Sequence, residues 1–208
     1  MHGFKGVLAG GLLALGVGLL GGCTTKETRP DETADAAAQG GIERELKECY
    51  LIGQMYLWSL DDFSQGRSLA EAQDTSRRSF FDEVPQLVEY QRSIAEVVYQ
   101  ERPQGNYPAS SYVRSKYSQC AADTSDPELA KKSTVCFNLV LLSEVVHEMR
   151  DAGQSPEQVA QAFSQANQNL ESYTPMIDAI YANGGSREDY NAGLYTRCLT
   201  AYVTQPGE

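Results

Sequence analysis

Four of the five cysteines occur in a pattern that is written twice along the chain. The motif Tyr-x4-Tyr-x2-Cys ends at Cys120 and again at Cys198, and an aromatic residue directly follows each of the other two, Cys49 and Cys136. An even number of cysteines predicts two disulfides if the chain is exported, although four cysteines allow three pairings. Two covalent links would restrict the fold of a 208-residue chain more than any other feature of its sequence.

Other landmarks repeat in the same order, with an offset that falls from 87 to 82 and then to 78 residues. The matched positions are 49 with 136, 66–68 with 153–155, 99 with 181, and 112–120 with 190–198. A falling offset is what loop-sized deletions in a second copy would produce. The order of the matches therefore predicts a tandem duplication.

The duplication favours one of the three disulfide pairings. If each copy descends from a module that folded alone, each carries its own bridge, which joins Cys49 to Cys120 and Cys136 to Cys198. A domain-swapped alternative would join Cys49 to Cys198 and Cys120 to Cys136. Zinc binding and thiol exchange are both disfavoured, because no two of the four form a close Cys-x-x-Cys pair.

The spacing of apolar residues predicts helices nearly throughout. Between residues 42 and 64 apolar side chains recur at intervals of three and four, and no segment alternates with period two. Asp126-Pro127 and Ser155-Pro156 are helix starts, and the helix after Ser155 is predicted to break near Tyr173-Thr174-Pro175. We predict an all-α protein of two similar modules, 42-122 and 123-208, with three to four helices each, packed together as a bundle.

The first 23 residues predict export and lipidation. Lys5 precedes an apolar run from Gly6 to Leu20, which is too short for a comfortable membrane span. The run ends at Leu-Gly-Gly-Cys, which resembles the bacterial lipobox, whose cysteine receives a diacylglycerol. The resemblance implies a signal peptide over residues 1-22 and a lipidated Cys23. An ordinary secretory signal or an N-terminal anchor helix is the alternative.

The segment 23-41 is predicted to be a flexible tether, because from Thr24 to Gly41 it carries no aromatic side chain and no aliphatic one larger than Ala. The formal net charge of -11 predicts repulsion from nucleic acid and from anionic lipid surfaces, so only the acyl chains would hold the protein to a membrane. Thr24, in place of Asp after the cysteine, resembles outer-membrane lipoproteins and implies an envelope location facing the periplasm.

Enzyme chemistry finds little support in the sequence. His147, in "HEMRD", lacks the second histidine of a His-Glu-x-x-His zinc site, and no phosphate-binding loop or Gly-x-Ser-x-Gly motif occurs. We interpret His147 as a surface or boundary residue, and Asp61-Asp62 and Arg77-Arg78 as solvated surface charge. The sequence predicts no catalytic residue, no metal and no cofactor.

Tyrosine is the most frequent aromatic residue, with twelve Tyr against six Phe and one Trp. An apolar ring with a polar tip suits half-buried sites and binding surfaces alike. Tyr117 and Tyr195 are expected to pack beside the two bridges. A recognition surface is predicted at four other positions: Tyr107, Tyr112, Tyr190 and Tyr202.

The stretch from Cys136 through "RDAGQS" and "AIY" to the final Tyr-x-x-Cys resembles small exported bacterial and phage-borne helical proteins of uncharacterised families. More loosely, a periplasmic all-helical protein with disulfides resembles the immunity proteins that neutralise cell-wall amidases delivered by type VI secretion. These resemblances imply a non-catalytic module that binds another envelope protein, as an inhibitor of a hydrolase would. The alternative is a pilotin-like lipoprotein that escorts an envelope or secretion component, which would need an apolar groove for a partner helix.

Overall fold

The computed structural model describes residues 31–78, 80–101, 109–166, 170–182 and 185–204. These residues form nine α-helices and no strand, which confirms the predicted all-α fold. The helices are α1 (Asp31–Ser64), α2 (Leu69–Ala72), α3 (Phe80–Glu83), α4 (Val88–Glu101), α5 (Ala109–Thr124), α6 (Pro127–Asp151), α7 (Pro156–Ala166), α8 (Leu170–Ala182) and α9 (Arg187–Thr204). None of the helices in these ranges is both long enough and apolar enough to cross a membrane.

The chain folds as two similar helical modules, each closed by one disulfide. Cys49 on α1 is bonded to Cys120 on α5, and Cys136 on α6 is bonded to Cys198 on α9, so the pairing predicted from the repeat is confirmed. In both modules the first helix packs along the last one. Closing loops of 71 and 62 residues stabilises the fold by roughly 4 kcal/mol each in the chain-entropy model.

The first helix of each module ends in the same turn. Gly66 after α1 and Gly153 after α6 adopt positive φ angles of 72° and 81°, a conformation that glycine takes without a steric penalty. In each turn the backbone N–H of the next residue bonds to the carbonyl five positions earlier, at 3.1 and 3.0 Å. Both are Schellman motifs, which satisfy carbonyl groups that a helix end leaves free.

Each of these turns is followed by a capped helix and is contacted by a tyrosine from a later helix. Ser68 and Ser155 each form a capping box with the residue three positions on. The Tyr99 hydroxyl donates to the carbonyl of the residue after Gly66, at 2.8 Å, and the Tyr181 hydroxyl does so after Gly153, at 2.6 Å. The landmarks matched in sequence therefore make matched contacts in the structure.

Four buried rings, which we call the central aromatic cluster, join the two modules. Tyr50 of module 1 stacks on Tyr195 of module 2 with centroids 4.8 Å apart, and Phe137 of module 2 stacks on Tyr117 of module 1 at 4.2 Å. The hydroxyl oxygens of Tyr117 and Tyr195 lie 2.7 Å apart. Because Tyr195 donates its proton to the Leu46 carbonyl at 3.0 Å, Tyr117 is the donor between the two hydroxyls.

The hydrophobic core around this cluster contains buried residues from both modules, including Met55 and Val98 from the first and Val140 and Leu199 from the second. A second, smaller group of buried side chains, among them Val159 and Ile180, fills the space between α6, α7 and α8. The modules therefore share one core at their junction, and module 2 has a smaller one of its own.

Two helix boundaries differ from those predicted. α1 begins at Asp31, so part of the segment predicted as a tether is helical; it is rich in Ala, a strong helix former, and opens with acidic residues that suit a helix N-terminus. The break expected near Tyr173-Thr174-Pro175 is wrong, because α8, which begins at Leu170, continues through Pro175. Proline in the second turn removes one backbone hydrogen bond without ending the helix.

Replacing Gly53 with Ala tests the packing of the central aromatic cluster. A Cβ at this position would lie 2.7 Å from Cε2 of Phe137, whose ring is already fixed between Tyr117 and Tyr50. We expect Gly53→Ala to lower the free energy of unfolding by about 1–3 kcal/mol, as overpacking does. Urea denaturation with the disulfides intact measures the change.

The matched control is Gly193→Ala in α9, where the nearest atom to a new Cβ belongs to the flexible guanidinium of Arg197, at 3.1 Å. The gain in helix propensity should stabilise this variant by up to about 1 kcal/mol. The same substitution is thus expected to have opposite signs at the two positions. Equal effects would show that Phe137 can move away, and that the cluster is not tightly packed.

Candidate functional site

A solvent-open cleft lies between α1 of module 1 and helices α6 and α9 of module 2; we call it the junction cleft. It has two adjoining parts, which share Trp58 and Glu188 in their walls. The first part is lined by Leu57, Trp58, Asp61, Arg78, Glu144, Glu148, Arg187 and Glu188. The second part is lined by Tyr50, Leu51, Gln54, Trp58, Phe80, Glu188, Asp189 and Ala192.

Trp58 forms the aromatic wall common to both parts. Its indole meets the edges of Phe80 and Phe81, with ring centroids 5.6 and 5.9 Å away. The guanidinium carbon of Arg78 lies 5.4 Å from the ring centroid, within the range of a cation–π contact. These contacts fix the ring, so the wall is formed before any partner arrives.

Asp62 corrects the interpretation of Asp61-Asp62 as a solvated pair. The carboxylate of Asp62 is fully buried and is bound by Arg67 and by Arg78, the latter at 3.2 Å, whereas Asp61 is exposed in the cleft. Arg78 is accordingly not free surface charge either. The turn after α1 and the segment that ends at Arg78 fold back over the helix, and a buried carboxylate needs such partners.

Glu144 is the buried acid of the first part of the cleft. Its Oε2 accepts a hydrogen bond from Arg187 at 3.2 Å, and its Oε1 accepts one from Asn191 at 2.5 Å. Burial raises the pKa of Glu144 to about 7; the nearby carboxylates of Glu148 and Glu188 raise it further, and Arg187 and Asn191 oppose the shift. This carboxyl therefore changes its charge near neutral pH.

The charge left uncompensated in the cleft is negative. Arg78 is paired with Asp62, and Arg187 with Glu144 and Asp151, so both cations in the lining already have carboxylate partners. Among the described residues no ion pair engages three acidic side chains of the lining: Glu148, Glu188 and Asp189. The cleft is thus suited to a positively charged group.

Gln54 adds a hydrogen-bond donor to the second part of the cleft. The residue is 4% exposed, and its Nε2 has no hydrogen-bond partner within the described part of the chain. A buried donor without an acceptor lowers stability by roughly 1–3 kcal/mol. An occupant with a carbonyl or carboxylate oxygen would satisfy it.

His147 is buried, contrary to its interpretation as a surface or boundary residue. It is 2% exposed, and its ring meets the edge of Tyr190 with centroids 5.5 Å apart. Neither ring nitrogen has a hydrogen-bond partner in the structure as described. Burial lowers the pKa of His147 to about 4, and the cations Arg150 and Arg187 add to the shift, so the ring is neutral at pH 7.

Three of the four tyrosines predicted to form a recognition surface lie outside the junction cleft. All three are half-buried, and they pack in different places. Tyr112 lies beside Tyr56 and donates its hydroxyl hydrogen to Glu101. Tyr190 lies beside the buried His147, and Tyr202 lies beneath Lys132. Their role in recognition stays a prediction. Tyr107 and the predicted lipidation site Cys23 fall outside the described residues.

The arrangement is suited to binding. Both oxygens of Glu144 are held by partners from α9, an arrangement typical of a structural anion. No group of three or more His, Cys, Asp or Glu side chains in the described ranges is placed to hold a metal ion. What the cleft offers is an aromatic wall and unpaired carboxylates, beside a buried amide donor that has no partner.

Sequence reasoning missed the cleft, although α1 carries a signal of it. Gln54, Trp58 and Asp61 follow one another at spacings of four and three, which places them on one face of the helix. Two polar residues around the single tryptophan, on a face otherwise expected to be apolar, indicate a half-exposed site. The residues opposite them on α6 and α9 could not be inferred without the fold.

Comparison of the chain with protein-family models, with curated proteins and with solved structures finds no match.

The raised pKa of Glu144 predicts a pH-dependent effect of Glu144→Gln. The pKa of Glu144 is about 7 in the folded state and has the ordinary value of 4.5 in the unfolded state. The contribution of this carboxyl to stability is therefore fully present below pH 4.5 and is lost as the pH rises through 7. Gln cannot ionise. Relative to the wild type, the variant should gain up to roughly 3 kcal/mol between pH 4.5 and pH 8.

Urea unfolding at the two pH values, with disulfides intact, measures this difference. The contribution of His147 has the opposite dependence, because its lowered pKa reduces the free energy of unfolding as the pH falls. This contribution is the same in the wild type and the variant, so it cancels in their difference. Glu128→Gln, at an exposed position in the first turn of α6, is the control and should show no such gain. A pH-independent difference for Glu144→Gln would mean that this carboxyl is not desolvated.

Proposed function

We propose that this protein is a lipid-anchored, non-catalytic binding module of the bacterial cell envelope, and that it recognises another envelope protein through the junction cleft. The observation that carries the proposal is the unpaired negative charge of the cleft beside a fixed aromatic wall. Aromatic anchors surrounded by polar groups are typical of protein recognition sites. The formal net charge of -11 would also speed encounter with a basic partner.

Inhibition of an envelope hydrolase, as by an immunity protein, is the role these features favour. The alternative role, escort of a secretion or envelope component, calls for an apolar groove that takes a partner helix. Five carboxylate residues line the junction cleft, and the large apolar side chains exposed in the described residues, Tyr90, Val135 and Val145, stand on two different helices. This surface is better matched to a basic protein than to an amphipathic helix.

The anchor in this proposal is the acylated Cys23, with the folded modules on the periplasmic side of the outer membrane. Cys23→Ser should abolish metabolic labelling of the protein with palmitate, because the cysteine thiol is the proposed attachment point of the diacylglycerol. Labelling followed by immunoprecipitation measures the incorporation. A wild-type protein that takes up no label would contradict lipidation and favour an N-terminal anchor helix.

Site-specific photo-crosslinking in cells tests the recognition proposal. A benzophenone amino acid at Leu57 or Ala192, which line the two parts of the cleft, should give an adduct with the same basic envelope protein. The same group at Glu128, sixteen residues before Glu144 on α6 and so about 24 Å away along the helix, is the control. The captured protein is then purified and assayed, with and without this chain, for hydrolase activity.

Adducts at both cleft positions and none at the control support the proposal, and loss of hydrolase activity on binding supports the inhibitor role. Equal labelling at all three positions, or no protein adduct at the cleft, would overturn recognition through this surface. An adduct with a secretion component that has no hydrolase activity would favour the escort role.

A further inference from the structure

The occupant of the junction cleft can be inferred from how its walls are ordered along α1. Gln54, with its orphan amide donor, stands at one end, Trp58 in the middle and Asp61 at the other end. Seven helical residues span about 10 Å, the length of about three residues of extended chain. A short peptide segment therefore has the right length to contact all three.

The charges opposite α1 determine which side chain such a segment would carry. Glu148, Glu188 and Asp189 face the cleft from module 2 without a cation of their own, whereas both arginines of the lining are engaged by carboxylates. A lysine or arginine side chain could lie along the indole of Trp58 and place its charge among these acids. An acidic or purely apolar segment would leave them unpaired.

The unpartnered N–H donor of Gln54 favours a ligand that has a backbone carbonyl. Its Nε2 is buried and unpartnered, and a peptide carbonyl is an acceptor that every extended segment carries. We infer that the junction cleft binds an extended segment of the partner protein through one Lys or Arg side chain and one backbone carbonyl, an inference that rests on the function proposed above. The carboxylates take the cation, and the Gln54 amide, which is shielded from solvent in the unbound protein, turns toward the cleft to donate to the carbonyl.

Trp58 is the only tryptophan of the chain and lines both parts of the cleft, so its fluorescence reports directly on occupancy. The full chain is titrated with acetyl-Ala-Lys-Ala-amide and with the same peptide carrying norleucine, which keeps the aliphatic stem and removes the charge. We expect saturable changes with the lysine peptide and binding roughly tenfold weaker with norleucine. Equal binding of the two, or no saturable change with lysine, would overturn the inference.

A third ligand separates a peptide from a free amine. Butylamine carries the cation without a backbone carbonyl, so it should bind more weakly than the lysine peptide. If butylamine binds as tightly, the cleft recognises amines alone, and the peptide inference is wrong. Higher salt should weaken the lysine peptide, because the carboxylates that attract it are partly exposed.

Two variants assign the contacts. Glu188→Gln should weaken the lysine peptide by about threefold to tenfold and leave the norleucine peptide unchanged, while Glu128→Gln, the charge-matched control, should change neither. Gln54→Met keeps the length of the side chain and removes the donor; it should weaken the peptide while raising the free energy of unfolding, because an orphan donor is lost. A Gln54→Met protein that binds the peptide normally would contradict the carbonyl contact.

Failure of this inference is distinguishable from failure of the proposed function. If the cleft cross-links to an envelope protein but does not bind the lysine peptide, only the peptide inference is contradicted. If the cleft binds the peptide but gives no adduct with an envelope protein, only the proposed recognition of an envelope protein is contradicted.

Discussion

The hydrogen bond between the hydroxyls of Tyr117 and Tyr195 lies within the core that the two modules share. Each ring is stacked against an aromatic residue from the first helix of the other module, so the two modules cannot separate without exposing all four rings. Burial raises the pKa of both phenols, which keeps them protonated and able to donate. The junction cleft depends on the same cluster, because Tyr50, which stacks on Tyr195, also lines the cleft.

The disulfides position these rings. Tyr50 and Phe137 directly follow the cysteines of the first helices, and Tyr117 and Tyr195 lie three residues, about one turn, before those of the last. Each bridge thus fixes one ring from each end of its module near the junction. Because the bridges close within a module, they do not join the modules to each other. That contact rests on packing and on hydrogen bonds, among them those from Tyr117 to Tyr195 and from Tyr195 to Leu46.

Much of the fold could be predicted because its signals are local. Cysteine spacing with the repeat gave the two bridges, and Asp126-Pro127 and Ser155-Pro156 gave the starts of α6 and α7. The burial of Asp62 and His147 could not be predicted, because it depends on which distant segments fold over α1 and α6. The cleft was missed for the same reason, since its walls come from helices more than 80 residues apart in sequence.

Several corresponding positions of the two modules differ in chemistry at the cleft. At the offset of 87 that relates α1 to α6, Leu57 corresponds to Glu144, Trp58 to Val145 and Gln54 to Leu141, whereas Cys49 and Cys136 are identical. If the modules descend from one ancestor, the residues that hold each module together and join it to its neighbour were kept. The aromatic wall and the amide donor stand on one copy and the buried acid on the other, so a single module has only part of this lining. A site of this composition requires both modules in one chain, which gives the repeat a role beyond stability.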